Sequence, residues 1–310
     1  MRENPYMTVS IIVSVYNEEL VLNRFYTSIE NIIKTLPFSF ELIFVNDGST
    51  DGSQRIIDCF LEKNSNVRSI EFTTNFGHEA AMIAGIDFAK GDVLICMDCD
   101  LQHPPYLIQD MLSLYVADQV DIINMVRKEE KIFNFSTLFY KLLNKLIPFE
   151  VEVNASDFFL ITAKVADVLR KNYRERVRFL RGIIQMIGYK KAKIEFTAPE
   201  RTEGESKYTI TKLISLSITA IASLSRKPLK FSIYIGFASM LFSIALTIYS
   251  VLMKIIEKPV SGYTTIVVFM GIMFSIQFFI LGIIGEYIGF LFEEQKDRPI
   301  YIVNKTSNIE

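Results

Sequence analysis

Two aspartates one residue apart, Asp98 and Asp100, follow the apolar run Val93-Leu94-Ile95-Cys96-Met97, and Gln102 stands two positions further on. Such a run, opened by Gly91-Asp92, reads as a short buried strand. Carboxylates so spaced at a strand end both reach the edge of the sheet. There they can hold a hard divalent cation, and that cation can bridge two phosphates. A pair of solvated turn aspartates is the plain alternative. Two more polar clusters stand at the ends of similar runs: Asn17-Glu18 and Asn46-Asp47-Gly48-Ser49.

The elements that must position these clusters alternate along the first 125 residues. Val9–Tyr16, Glu41–Asn46, Val67–Phe72, Val93–Met97 and Asp121–Val126 read as strands. Leu20–Leu36, Gln54–Glu62, Glu79–Ala89 and Pro105–Tyr115 carry helical patterns between them. This rhythm predicts an α/β fold with a mostly parallel, Rossmann-like sheet and helices on both faces. Ligands of such sheets bind beyond the carboxyl ends of the strands, where the three clusters converge. No G-x-G-x-x-G follows a strand and no G-x-x-x-x-G-K-[ST] occurs, which removes the main support for dinucleotide oxidoreductases and P-loop enzymes. Carboxylates on base and ribose, with a metal on the diphosphate, can still hold a nucleotide.

The 310 residues contain 33 basic and 35 acidic side chains, a balance that gives no sign of a nucleic-acid partner. Half are hydrophobic, and the excess is localised. No residue is charged from Phe231 to Met253 or from Pro259 to Gly285, and each run meets the ~20 residues needed to cross hydrocarbon. Buried core helices are the alternative, but two such runs in tandem favour spans at about 231–253 and 262–286. Ile210, Leu213, Ile214, Ile218, Ile221 and Leu224 recur at helical spacing and suit an interfacial helix over 209–228. Arg226, Lys227 and Lys230 before the first span, with Lys296 and Arg298 after the second, place both termini on the cytoplasmic side, although Lys254 and Lys258 dilute the bias. The expected organisation is a catalytic domain over 1–208, the interfacial helix, two spans within 229–292 and a cytoplasmic tail over 293–310. Gly285-x-x-x-Gly289 suits close helix packing and a homo-oligomer, a tetramer being one option. The N-terminus shows no apolar signal region. Three cysteines, Cys59, Cys96 and Cys99, suit a reducing compartment, and Cys99 reads as a spacer between two aspartates.

Val15-Tyr16-Asn17-Glu18, Val45 to Asp51, Asn75-Phe76-Gly77-His78-Glu79-Ala80-Ala81, Ala84-Gly85-Ile86-Asp87, Gly91-Asp92 and Asp98 to Pro105 occur in that order. Together they resemble family 2 glycosyltransferases of the GT-A fold. Arg178-Phe179-Leu180-Arg181-Gly182, Gly204 to Tyr208, Gly285 to Gly289 and Arg298-Pro299 are similar to a narrower group, the bacterial polyprenyl-phosphate glycosyltransferases. That group includes bactoprenol glucosyltransferase and relatives of dolichol-phosphate mannose synthase. The resemblance covers nearly the whole chain. It implies metal-dependent, inverting transfer from a nucleotide sugar, with a UDP-linked hexose or N-acetylhexosamine favoured, to a polyprenyl phosphate such as undecaprenyl phosphate. The product would be a lipid-linked sugar for the cell envelope, made at the cytoplasmic membrane.

The resemblance also implies roles. Asp98, Asp100 and Gln102 would hold Mg²⁺ or Mn²⁺, and Asp47 would contact the base. Tyr16, Asn17, Glu18, Ser49, Asp98, Cys99, Arg201 and Lys207 would complete the nucleotide-sugar site. Arg127, Lys131 and Lys141 would take the acceptor phosphate, and Asp157, Asp100 and Arg127 form the catalytic set. Plainer readings stand beside these: Lys131 and Lys141 as surface charges, Arg178 and Arg181 as a solvated helix face, His78 as a packing or turn residue. Asn46 replaces one of two usual aspartates, and Phe159 stands where relatives often carry arginine. Two other functions remain: a processive polysaccharide synthase, which the absence of any tryptophan for a Q-x-x-R-W motif disfavours, and a scaffold with a degenerate domain.

Overall fold

The computed structural model describes residues 7–128, 154–176, 179–197, 227–256 and 262–309, with 144, 145, 147, 152, 199, 221 and 225. Thr8–Val15 (β1), Ser39–Asn46 (β2), Val67–Phe72 (β3), Val93–Asp98 (β4) and Ile122–Arg127 (β5) form the five expected strands. Leu22–Ile33 (α1), Ser53–Lys63 (α2), His78–Phe88 (α3) and Leu107–Asp118 (α4) lie between them. Strands covered on both faces must be apolar throughout rather than alternating. The sequence of β1, TVSIIVSV, fits that demand, and its residues 9–13 are all buried.

Period-two alternation then sends neighbouring side chains to opposite cores. Ile11 and Val13 join Phe25, Ile29, Phe60 and Met111 from α1, α2 and α4, whereas Ile12 joins Ala81, Ala84 and Ile86 from α3 on the other face. The α3 helix approaches β1 so closely that a Cβ on Gly85 would stand 2.1 Å from the Ile12 methyl.

The sheet order is β7-β5-β6-β4-β1-β2-β3-β8. Parallel register pairs Val15 with Asn46 and Ser14 with Asp98, so the three polar clusters leave the sheet at one level. Five further elements lie beyond those expected over the first 125 residues: Ala155–Thr162 (β6), Ala163–Asn172 (α5), Leu180–Met186 (α6), Lys191–Phe196 (β7) and Val303–Ser307 (β8). Strand β6 runs antiparallel between β4 and β5 and pairs Cys96 with Phe159. Two residues further along each strand, the same register sets Asp157 across from Asp98.

Lys227–Ile255 (α7) and Tyr263–Gln295 (α8) contain 29 and 33 residues. At 1.5 Å per residue each exceeds the roughly 30 Å of a hydrocarbon core. Both are long and apolar enough to cross a membrane, with none of their apolar windows buried. Apart from Ile221 and Ser225, the segment expected as an interfacial helix before Lys227 lies outside the described residues. After α8 the chain returns as β8, antiparallel to β3.

Candidate active site

The first two clusters are stitched together. The Asn17 N–H donates to the Ser49 hydroxyl at 3.0 Å, and the Thr50 N–H donates to Asn17 Oδ1 at 2.8 Å. The Glu18 N–H donates to Ser53 Oγ at 2.9 Å. Asn46 is buried and uses both ends of its amide: Oδ1 accepts from the Ser49 N–H and Nδ2 donates to Gln54, each within 2.9 Å. A carboxylate there could accept but not donate, which gives the departure at this position a structural reason.

Asp47 is buried, and its carboxylate accepts from the N–H groups of Phe76 and Gly77 at 2.6 and 3.0 Å. Burial raises its pKa against these bonds, which pull the other way. Its side chain holds the turn that opens α3. Gly48, at φ +65°, makes this approach possible, since a Cβ there would stand 2.4 Å from the Thr74 carbonyl carbon. Tyr16 stays exposed beside the cluster.

Asp98 ends β4. Its N–H donates to His103 Nδ1 at 3.0 Å, and the Ser14 hydroxyl lies 3.4 Å from its Oδ1. His103 is buried against Phe158, and that burial lowers its pKa, which keeps the imidazole neutral and able to accept. Leu101 takes a left-handed φ of 61°, bending the chain so that Asp100 Oδ1 accepts from the Gln102 N–H at 3.0 Å. Arg127, at the end of β5, directs Nη2 to Gln102 Oε1 at 3.5 Å. Cys99 is buried as a spacer, and burial pushes its thiol pKa well up.

Two residues with plainer readings belong to the site. His78, the first residue of α3, places Nδ1 3.5 Å from Asp98 and Nε2 3.5 Å from Asp157. Burial opposes its charge, but Asp98 and Asp157 prevail and hold its pKa up to about 9. Arg181 is no solvated helix face: it grips Asp157 with Nε at 2.6 Å and Nη2 at 2.8 Å, and Nη1 donates to the Ala155 carbonyl. Burial would raise the Asp157 pKa, yet Arg181 and His78 hold it far below the usual carboxylate range. Next to His78, burial and Asp157 push Glu79 up to about 7, while it accepts from the Leu180 N–H at 3.2 Å. In the sequence, His78 and Glu79 stand in the Asn75–Ala81 motif and Arg181 in the Arg178–Gly182 motif, but neither motif shows that they meet at Asp157.

His78, Asp98 and Asp157 bring potential ligand atoms within 4.8 Å of one another. In this form a protonated His78 and the Asp157–Arg181 pair make them an ion-pair network. The all-oxygen set of Asp98, Asp100 and Gln102 fits a hard cation, and Asp98 is common to both groups. Lys131, Lys141, Arg178, Arg201 and Lys207 lie outside the described residues.

A family profile described as glycosyl transferase family 2 matches residues 10–170. The uncharacterized glycosyltransferase YkcC of Bacillus subtilis is 35% identical over 98% of this chain and 96% of its own length. The SfII prophage-derived bactoprenol glucosyl transferase of Shigella flexneri is 33% identical over 97% of this chain and 98% of its own. Among solved structures, mannosyl-3-phosphoglycerate synthase of Rubrobacter xylanophilus superposes with a TM-score of 0.50 at 15% identity, covering 70% of this chain and 73% of that one, a likeness of fold.

Proposed function

Because the chain belongs to glycosyl transferase family 2 and is a glycosyltransferase, we propose that it moves a sugar from a nucleotide sugar onto the phosphate of a polyprenyl phosphate, inverting the anomeric carbon. One observation carries this reading. A site of strand-end carboxylates shares its chain with two helices able to cross a membrane, and a bactoprenol glucosyl transferase aligns over both parts.

Asp98, Asp100 and Gln102 would hold Mg²⁺ or Mn²⁺, which when bound offsets the charge developing on the leaving diphosphate. The stitched β1 and β2 loops, with Tyr16, Asn17, Glu18 and Ser49, form the floor for the nucleoside, with UDP favoured. Asp47 shapes that floor through the 76–77 turn. Arg127 stands beside Gln102, placed to grip the acceptor phosphate with two parallel hydrogen bonds. A phosphate oxygen is already anionic near neutral pH and needs no strong base. Asp157, with its pKa held far down by Arg181 and His78, is a poor proton acceptor and orients the reacting groups instead. The chain thereby aligns a soluble donor with a membrane-bound acceptor, at a bilayer's cytoplasmic face.

The test is turnover by the full chain in vesicles, with a panel of nucleotide sugars, undecaprenyl phosphate and Mn²⁺. Formation of a glycosyl-phosphoryl lipid from one donor is the expected result. Absence of lipid product with every donor, alongside tight nucleotide binding, would overturn the acceptor assignment.

A further inference from the structure

Arg181 reaches Asp157 from a stretch of chain that is anchored elsewhere. Residues 174–176 and 179–181 lie along α3 in the reverse order, with contacts to both of its ends. Arg174 Nη1 contacts both carboxylate oxygens of Asp87, at 2.8 and 2.9 Å, near the end of α3. The Leu180 N–H bonds Glu79 in the first turn. Eight residues of helix separate Asp87 from Glu79, about 12 Å along the axis. The six residue steps from Arg174 to Leu180 can span about 20 Å when extended. Ties at the ends alone therefore leave slack next to Arg181.

The middle tie comes from the second apolar helix. Both Glu294 oxygens accept from the Arg176 N–H, at 3.2 and 3.0 Å. The chain beyond that helix braces the far end. Tyr301 stacks on Phe72 at 5.1 Å between ring centroids, and its hydroxyl donates to Asp87 at 2.7 Å, on the carboxylate that holds Arg174.

We propose that Glu294 is a positioning residue for the transfer reaction: it holds the 174–181 segment at Arg176 and so sets the placement of Arg181 on Asp157. The helix that reaches into the membrane thereby adjusts the carboxylate at the reacting centre. This rests on the sugar-transfer reading for its consequence in rate, but its structural content stands apart from that reading.

The experiment uses the full chain in vesicles containing undecaprenyl phosphate. Glu294→Ala is expected to lower kcat about tenfold, the scale for losing one charge-assisted hydrogen bond, with KM for the nucleotide sugar unchanged. Glu294→Gln keeps a carbonyl oxygen for the Arg176 N–H and should recover most of that loss. Amide hydrogen exchange at 174–181 should quicken in the alanine variant and not in the glutamine variant. Wild-type kcat in Glu294→Ala, equal losses in both variants, or a loss explained by a fallen thermal midpoint would each overturn the inference. Should the wild-type chain transfer no sugar, the functional reading fails by itself. The exchange comparison then decides the coupling: quickened exchange supports it and unchanged exchange overturns it.

Discussion

Asp157 is held by two cationic neighbours, His78 and Arg181, whereas Asp100 accepts from the Gln102 N–H at the end of β4. Asp100→Ala should abolish transfer at saturating metal and leave the thermal midpoint near that of the wild type, since Asp100 is half-buried just past the end of β4. Near wild-type turnover would remove Asp100 from the site. Arg127→Ala should raise the apparent KM for polyprenyl phosphate about ten- to a hundred-fold, corresponding to about 1.5–3 kcal/mol for a charged hydrogen bond. Nucleotide affinity by calorimetry should hardly change; the opposite pattern would assign Arg127 to the donor. His78 offers a pH test. Its ordinary value in an unfolded chain is 6.5, and its neighbours hold it up to about 9 in the folded protein. A pKa raised on folding contributes stability that is complete below pH 6.5 and is lost as pH rises through about 9. With metal chelated, His78→Gln should melt below the wild type at neutral pH, and the gap should close above pH 9. A gap independent of pH would show that the imidazole acts by packing alone.

Among the elements, α3 is pressed hardest, because its Gly85 lets the backbone ride on the Ile12 methyl. Gly85→Ala should destabilise by about 1–3 kcal/mol through overpacking, read from chemical denaturation, and should weaken the site by lifting His78 and Glu79 at the helix start. The elements most legible in the sequence are those whose burial pattern is local. Four of the first five strands are mostly apolar on both faces, β3 carries Arg68 and Glu71, and all five close within a residue or two of their expected ends. β6 has an equally apolar stretch in Phe158 to Ile161, but a strand that reverses direction inside a parallel sheet is recognised by its partners, not by its own residues. The metal-type spacing of Asp98 and Asp100 was visible in one dimension. The Asp157–Arg181 and His78 contacts join residues 24 and about 80 positions apart and depend on that reversed strand. β7 is half-exposed and rich in lysine, and β8 is exposed along most of its length, so neither leaves a hydrophobic signature.

Over the whole molecule, the catalytic sheet and the apolar helices share one closed circuit, because the chain leaves from β7, forms α7 and α8, and returns to pair with β3. Removing residues 297–310 should expose the β3 edge, lower the thermal midpoint and favour aggregation. A deletion that takes away both helices and the tail should lose more stability than the helices alone would explain, while still binding nucleotide. A thermal midpoint unchanged by the short deletion would show that β8 adds nothing to the sheet. The truncated domain should also transfer poorly to a long-chain lipid in vesicles, since no span keeps it at the acceptor's surface.

The late arrival of β8 has a consequence in time. On a ribosome, Phe72 emerges long before Val303, and at about 5–20 residues per second the interval is roughly 10 to 50 seconds. For that whole period the β3 edge that β8 will cover presents unpaired backbone groups, while both helices able to cross a membrane are being made. On the proposed membrane reading, insertion would come before the sheet is sealed. A nascent chain whose helices go astray keeps an open strand edge, and so carries its own mark for proteolysis or aggregation before it can meet a nucleotide sugar.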